Sequence, residues 1–156
     1  MKKVVIVLIT IIVIGVGYWL ASPLFIDKRV SEDSPLVTSP SSQSSENTPI
    51  TTHKGNFSGF DSLHTGSGDV SVIKTGEGTV LRFEENFQVS NGPDLYVGFG
   101  KDGEYKKGSE VAALKGNIGS QNYLLPQNFN LEGYNEVWIW CRAFSVPFAK
   151  AGLTPI

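Results

Sequence analysis

The sequence predicts an all-β protein: an antiparallel β-sandwich or barrel-like domain, preceded by one N-terminal transmembrane helix and a disordered linker. Three observations lead to this prediction. An uncharged apolar run lies near the start, a Ser/Thr/Pro-rich stretch follows it, and the remainder alternates apolar and polar residues between glycines. These patterns are typical of a membrane span, a linker and β-strands, respectively. We therefore divide the chain into residues 1–29, 30–54 and 55–156.

The apolar run of residues 4–26 contains no charged residue and is dominated by Val, Ile and Leu. A helix needs ~20 such residues to cross the hydrocarbon core of a bilayer. Lys2 and Lys3 precede the run, and a basic first flank usually stays in the cytoplasm. We expect a single-pass signal anchor in the cell membrane, with a cytoplasmic N-terminus and an extracytoplasmic β domain. A signal peptide cleaved near Ala21 is the alternative, although its apolar region would normally span only ~7–15 residues.

The linker of residues 30–54 is rich in Ser, Thr and Pro and has almost no large apolar side chain. Such a segment cannot bury enough apolar surface to offset the entropy lost on ordering, so it is predicted to be disordered. As a flexible coil it would hold the next domain on the order of 25–30 Å from the bilayer.

Alternating residues in the third part predict six strands, at about residues 69–74, 79–83, 94–99, 121–125, 136–141 and 144–153. Turn residues separate them at 75–78 and at 101–103, where Asp-Gly supplies the positive φ angles of a short hairpin. No segment of this part has helical periodicity over three turns. At least one Trp should be buried, and the residues expected in or beside the core are Phe83, Leu95, Val137, Ile139 and Trp140.

The composition excludes several classes of function. The formal net charge of −2 provides no basic surface for nucleic acid. A single cysteine excludes an intramolecular disulfide, and with only two histidines a site built from several His and Cys ligands is excluded as well. Residues 98–103 have the G-x-G-x-x-G spacing of a nucleotide-binding loop, but no helix follows, so we interpret them as hairpin turn residues.

Cys141 is the residue at which the sequence suggests chemistry. It ends the most aromatic strand, in which Trp138 and Trp140 share one face while Ile139 and Cys141 share the other. One interpretation is a small buried hydrophobe, which is what a free cysteine usually is. The other is a reactive thiolate, favoured by the nearby charge of Arg142.

The domain resembles the DM13 family over about residues 55–153. The resemblance lies in five ordered segments: residues 63–68, 82–87, 91–97, 117–123 and 137–148. The family is a small β domain, often found beside DOMON domains, with a characteristic cysteine that aligns with Cys141. The resemblance implies a redox or electron-transfer role, through a free thiol or through a cofactor bound by the sulfur. Since this sequence shows no DOMON or cytochrome segment, we expect another protein to complete the electron path.

We therefore expect a redox or electron-transfer module, rather than a stand-alone enzyme, that acts through an accessible or semi-accessible thiol at Cys141. A haem or metal bound through this sulfur would need a second ligand, and His64 is the candidate. The alternative is a non-catalytic binding or adhesion domain in which Cys141 is a packed core residue, and burial of the sulfur would favour it. The expected partners are the lipid bilayer, through residues 4–26, and a redox or surface protein.

Overall fold

The computed structural model describes residues 2–21, 26–36 and 48–156. The apolar run begins as helix α1 (Lys2–Ala21), whose large apolar side chains from Val4 to Val16 are exposed. Within the described ranges, no helix is long and apolar enough to cross a membrane. The predicted span continues to residue 26, and its residues 22–25 lie outside the described part of the chain.

The regular structure of the domain that follows is β-strand, as predicted, apart from one 3-10 helix (Leu131–Gly133). All six predicted strands are present, with ends within two residues of the predicted positions. The described strands are β1 (Ile50–Gly59), β2 (Gly66–Ser67), β3 (Asp69–Thr75), β4 (Gly78–Phe83), β5 (Gln88–Val89), β6 (Leu95–Lys101), β7 (Glu104–Tyr105), β8 (Ala112–Ala113), β9 (Gln121–Leu124), β10 (Glu136–Cys141), β11 (Val146–Gly152) and β12 (Thr154–Pro155).

Ten of the described strands form one curled antiparallel sheet that resembles half a barrel. Their order is β7-β6-β10-β11-β1-β3-β4-β9, with β8 added to β6 and β12 added to β1, while β2 and β5 form a separate pair. The hairpin between β6 and β7 turns at Asp102 and Gly103, which have φ angles of 54° and 86°. The interpretation of residues 98–103 as hairpin turn chemistry therefore agrees with the structure.

The concave side of the sheet holds the hydrophobic core. Phe57, Phe83 and Phe87 meet there with ring centroids 4.6–5.1 Å apart, a separation at which aromatic edges and faces attract. Full burial of such a side chain contributes about 1.5–3 kcal/mol, so each of the three rings stabilises the domain by roughly this amount. The other buried members are Val70, Val72, Leu81, Val89, Leu95, Val97, Phe99, Tyr123, Leu125, Val137, Ile139, Cys141, Phe148, Ala149 and Ala151.

The expected core residues lie where the alternation places them, with one difference. Phe83, Leu95, Val137 and Ile139 are buried, and Trp138, which is also buried, meets the expectation of at least one buried tryptophan. Trp140 is half-buried on the opposite face of β10, outside the core cluster.

The predicted linker of residues 30–54 differs from the structure at both of its described ends. Strand β1 begins at Ile50, so the stretch from 50 to 54, with His53, belongs to the sheet. At the other end, residues 26–36, here named the strap, lie against the β domain, where Arg29 forms a parallel bridge to Ile118. The strap is held by polar contacts to residues far along the chain, which an apolar pattern does not register. Residues 37–47, also predicted as linker, lie outside the described residues.

Candidate functional site

Cys141 occupies the last position of β10, where it pairs with Leu95 in β6 and with Val146 in β11. Its exposed fraction is 0%, and it belongs to the hydrophobic core together with Ile139. The predicted sharing of one face by Ile139 and Cys141 is therefore confirmed. The expectation of an accessible or semi-accessible thiol is wrong for the native structure, because this face of β10 packs inward.

Arg142, the next residue, is exposed and contacts two residues on the outside of the domain. Its Nε donates to Oδ2 of Asp94 at 3.0 Å, and its guanidinium lies 4.2 Å from the ring centroid of Tyr96. The hydrogen bond to Asp94 raises the pKa of Arg142 above its ordinary value. The charge of Arg142 is thus matched by Asp94 on the outside of the domain, and the geometry gives it no direct role at the sulfur.

A short exposed turn of residues 142–145 follows Cys141 and joins β10 to β11. Ser145 has a φ angle of 55°, in the left-handed region, and the ring of Phe144 projects from the turn with 69% of its surface exposed. The backbone N–H of Arg142 donates to the carbonyl of Asp94 at 3.0 Å. Together with the ion pair, this bond ties the turn to the loop before β6, beside the strand end that carries Cys141.

His64, the second predicted ligand, is held in the loop that follows β1. Its Nδ1 lies 2.8 Å from Oδ2 of Asp61, and its ring packs edge-on against Phe148 with the centroids 4.6 Å apart. Hydrogen bonds from the His64 side chain and backbone, and from the N–H of Leu63, lower the pKa of Asp61 to about 2. The imidazole is therefore oriented by Asp61 and Phe148.

A haem or metal bound jointly by Cys141 and His64 does not fit this arrangement. A ligating sulfur must present its lone pairs to the metal, whereas the Cys141 side chain is enclosed by core residues. One ring nitrogen of His64 is already engaged by Asp61. In the part of the chain that the structure describes, no three His, Cys, Asp or Glu side chains come together as a metal site would require. We derive no chemical step through such a group.

The outer face of β10 carries an aromatic cluster. Trp140 stacks on Tyr105 with the ring centroids 4.4 Å apart and the planes 3° from parallel, and Trp138 lies 5.3 Å from Phe60. A groove of about 480 Å³ runs over these rings, and it is lined by Phe60, Gly103, Glu104, Tyr105, Lys107, Trp138, Trp140 and Pro147. The sequence placed both tryptophans on one face. Tyr105 and Phe60 were missed because they come from other parts of the chain, although Tyr105 follows the predicted Asp-Gly turn.

Glu136 fixes the base of this aromatic cluster. Its carboxylate accepts from Lys150 Nζ at 2.7 Å, from the N–H of Gly103 at 3.0 Å and from Trp138 Nε1 at 3.1 Å. Burial opposes ionisation of Glu136, but these hydrogen bonds outweigh it and lower its pKa. Burial, reinforced by the charge of Glu110, raises the pKa of Tyr105, which keeps that hydroxyl protonated. The cluster therefore rests on a partly buried ion pair between Glu136 and Lys150.

Fold and site together define a small antiparallel β domain with one sealed thiol and an aromatic outer face. The family model described as "Electron transfer DM13" matches residues 56–153. This match covers well over half of the 156 residues, so the chain belongs to the DM13 family, and the resemblance found in the sequence is confirmed. No curated protein and no solved structure matches the chain at a significant level.

Proposed function

We propose that this chain is an extracytoplasmic redox module that is anchored to the cell membrane by its N-terminal segment and acts through Cys141. The observation that carries the proposal is the match to an electron-transfer family over a region that includes Cys141, the only cysteine of the chain. Because Cys141 ends its strand next to an exposed four-residue turn, we infer that local opening of this turn gives the sulfur a route to react.

The proposed reaction is thiol–disulfide exchange with a disulfide-bearing protein outside the cytoplasm. When the turn of residues 142–145 opens, the Cys141 thiol releases its proton to solvent and the thiolate attacks one sulfur of the partner's disulfide. A new S–S bond forms as the partner's S–S bond breaks, and the partner's second sulfur leaves as a thiolate. Cys141 is thereby oxidised to a mixed disulfide, and the departing sulfur of the partner is reduced. Such partners occur where disulfides persist, in oxidising compartments.

Opening the turn requires little free energy compared with unfolding the domain. The Arg142–Asp94 ion pair is exposed, and exposed ion pairs contribute little to stability. Turns with few buried contacts open locally at free energies well below that of global unfolding. The thiol should therefore be protected but not inert.

Thiol modification of the native full chain tests the redox proposal. We expect slow modification of Cys141, accelerated severalfold by Asp94→Ala, which removes both side-chain hydrogen bonds between Asp94 and Arg142. Glu104→Ala is the matched control, because it breaks a similarly exposed ion pair with Lys106 in a different hairpin and should leave the rate unchanged. If Cys141 reacts only at the rate of global unfolding, whatever residue occupies position 94, then it is a packed core residue and the redox proposal fails.

The membrane part of the proposal rests on the sequence and on the exposed side chains of α1. Residues 4–26 form an uncharged run, and the large apolar side chains of α1 from Val4 to Val16 find no cover within the described chain. Lys2 and Lys3 on the N-terminal side favour a cytoplasmic N-terminus. We expect the full-length chain to remain in carbonate-washed membranes with its β domain open to external protease. A mature chain that starts near Ser22 by mass spectrometry would instead identify a cleaved signal peptide.

A binding or adhesion module is the second candidate function, and the sealed sulfur together with the aromatic groove favours it. Grooves lined by aromatic rings with a few polar groups at the rim are typical ligand sites. In this case Trp140→Ala would abolish function in the host while Cys141→Ala would preserve it. The redox proposal predicts the opposite result for these two variants.

A further inference from the structure

The strap of residues 26–36 is fastened to the β domain along its length. The carboxylate of Glu32 accepts from Lys115 Nζ at 2.7 Å and from the backbone N–H of Asn122 at 2.7 Å, and its carbonyl accepts from Arg82 at 3.2 Å. Burial opposes ionisation of Glu32, but its hydrogen bonds and the nearby positive charges outweigh this and lower its pKa. The strap is therefore a structured part of the domain, in contrast to the flexible coil expected from its composition.

The start of the strap is fastened as firmly as its middle. The Oδ1 atom of Asp27 accepts from Nδ2 of Asn91 at 2.9 Å and from Nδ2 of Asn117 at 2.8 Å. The backbone N–H of Lys28 donates to Oδ1 of Asn117 at 2.6 Å. The domain therefore holds the chain from Asp27 onward, beside the loop of residues 90–94.

This attachment limits how far the domain can lie from the end of α1. Helix α1 ends at Ala21, and five peptide steps lead from there to Ile26. A chain rises at most ~3.6 Å per residue, so these steps span no more than ~18 Å in any conformation. The distance of about 25–30 Å between domain and bilayer, expected for a long flexible tether, does not apply, because the strap is bound to the domain and does not act as a spacer.

Exposed apolar side chains project from the same end of the domain. The exposed fractions are 57% for Ile26, 77% for Leu63 and 69% for Phe144. Each belongs to a segment that is hydrogen-bonded to the loop of residues 90–94. In this loop, Asn91 bonds to Asp27 of the strap and Asp94 bonds to Arg142 of the turn after β10. Ser90 donates its N–H to the carbonyl of Thr65, in the loop after β1. The strap, the loop after β1 and the turn after β10 therefore meet at one end.

We propose that this end, formed by Ile26, Leu63 and Phe144 and named the membrane-facing end, rests on the surface of the lipid bilayer. The inference depends on the proposed membrane anchor, since the short connection to α1 is what brings the end to the lipid. Exposed apolar side chains held near a membrane lower their free energy by entering the headgroup region. Phe144 lies in the turn that follows Cys141, so in this orientation local opening of the turn exposes the thiol at the bilayer surface, and a redox partner must work there.

Fluorescence quenching by lipids with a nitroxide near the headgroup tests this orientation. The full-length chain is reconstituted in phosphatidylcholine vesicles with a fluorophore on Leu63→Cys or Phe144→Cys, in a Cys141→Ala background so that one position is labelled. Glu77→Cys is the matched control, since Glu77 is exposed in the turn after β3, beside the start of β1. Strand β1 has ten residues, which places that turn on the order of 30 Å from the Leu63 loop.

We expect quenching at positions 63 and 144 to be severalfold stronger than at position 77. Releasing the strap with Asp27→Ala and Glu32→Ala together should reduce quenching at 63 and 144 to the level of the control. Equal quenching at all three positions in protein that stays with the vesicles after a carbonate wash would overturn the proposed orientation while leaving the anchor intact. Loss of the protein from the vesicles after that wash would overturn the anchor and, with it, this inference.

Discussion

Replacement of Cys141 by serine should destabilise the protein more than replacement by alanine. Serine fills nearly the same volume but places a hydroxyl among apolar core side chains, and a buried hydroxyl without a partner costs about 1–3 kcal/mol. Alanine deletes one heavy atom and leaves a small cavity, comparable to an Ile→Val change at about 0.5–1.5 kcal/mol. This order follows only if the sulfur is packed as the structure shows.

Urea unfolding monitored by tryptophan fluorescence measures the difference, because Trp138 is buried in the folded domain. With a slope of about 1–3 kcal/mol per molar urea, Cys141→Ser should lower the midpoint by on the order of 1 M and Cys141→Ala by less. Phe144→Ser is the control, since that side chain lies in the exposed turn and should shift the midpoint little. A serine variant as stable as the wild type would refute the reasoning and would show that the sulfur lies in a polar or hydrated setting.

Three further predictions concern the remainder of the domain. Gly100→Ala should lower the free energy of unfolding by about 1–3 kcal/mol, because its new Cβ would meet the indole ring of Trp138. Gly152→Ala is the control: its Cβ would meet nothing within 4 Å, so it should be nearly neutral in the same unfolding assay. Glu136→Gln should lower the melting temperature at pH 7 and make the melting temperature less sensitive to acidification. Because the pKa of Glu136 is lowered in the folded protein, its ionised form stabilises the fold above about pH 4.5. That contribution disappears as the pH drops through the folded pKa. Asn117→Ala should speed amide exchange in residues 27–32, because it removes the hydrogen bonds to Asp27 and to the N–H of Lys28; unchanged exchange would contradict the fastening of the strap.

The strands could be predicted because each carries its own signal. Asp-Gly at residues 102–103 and the alternation in β10 are local, and the structure places the turn and the buried face where these signals indicate. Strand β1 was missed because residues 50–54 are Ile-Thr-Thr-His-Lys, with a single large apolar side chain. It becomes a strand through pairing with β3 and β12, which lie elsewhere in the sequence.

The order of the strap could not be predicted for a related reason. Asp27 and Glu32 look like ordinary polar linker residues, and their partners, Asn117 and Lys115, lie more than eighty residues further along the chain. Polar contacts of this kind leave no periodic pattern, and only the folded domain brings the two segments together. Composition correctly indicated that the strap buries little apolar surface, but charge-assisted hydrogen bonds hold it instead.

The setting of Cys141 shows where alternation stops being informative. Alternation places Cys141 with Ile139 and opposite Trp140, and the structure confirms that division. Alternation cannot show which face of β10 is sealed from solvent. The strand lies between β6 and β11, and other residues pack on both of its faces, the core on one and Tyr105 with its neighbours on the other. The reactivity of the thiol therefore depends on how often the four-residue turn after β10 opens. If the free energy of that opening is well below the free energy of global unfolding, a sealed sulfur is compatible with a redox role. If the two are equal, the sulfur is part of the core and the aromatic face becomes the better candidate for function.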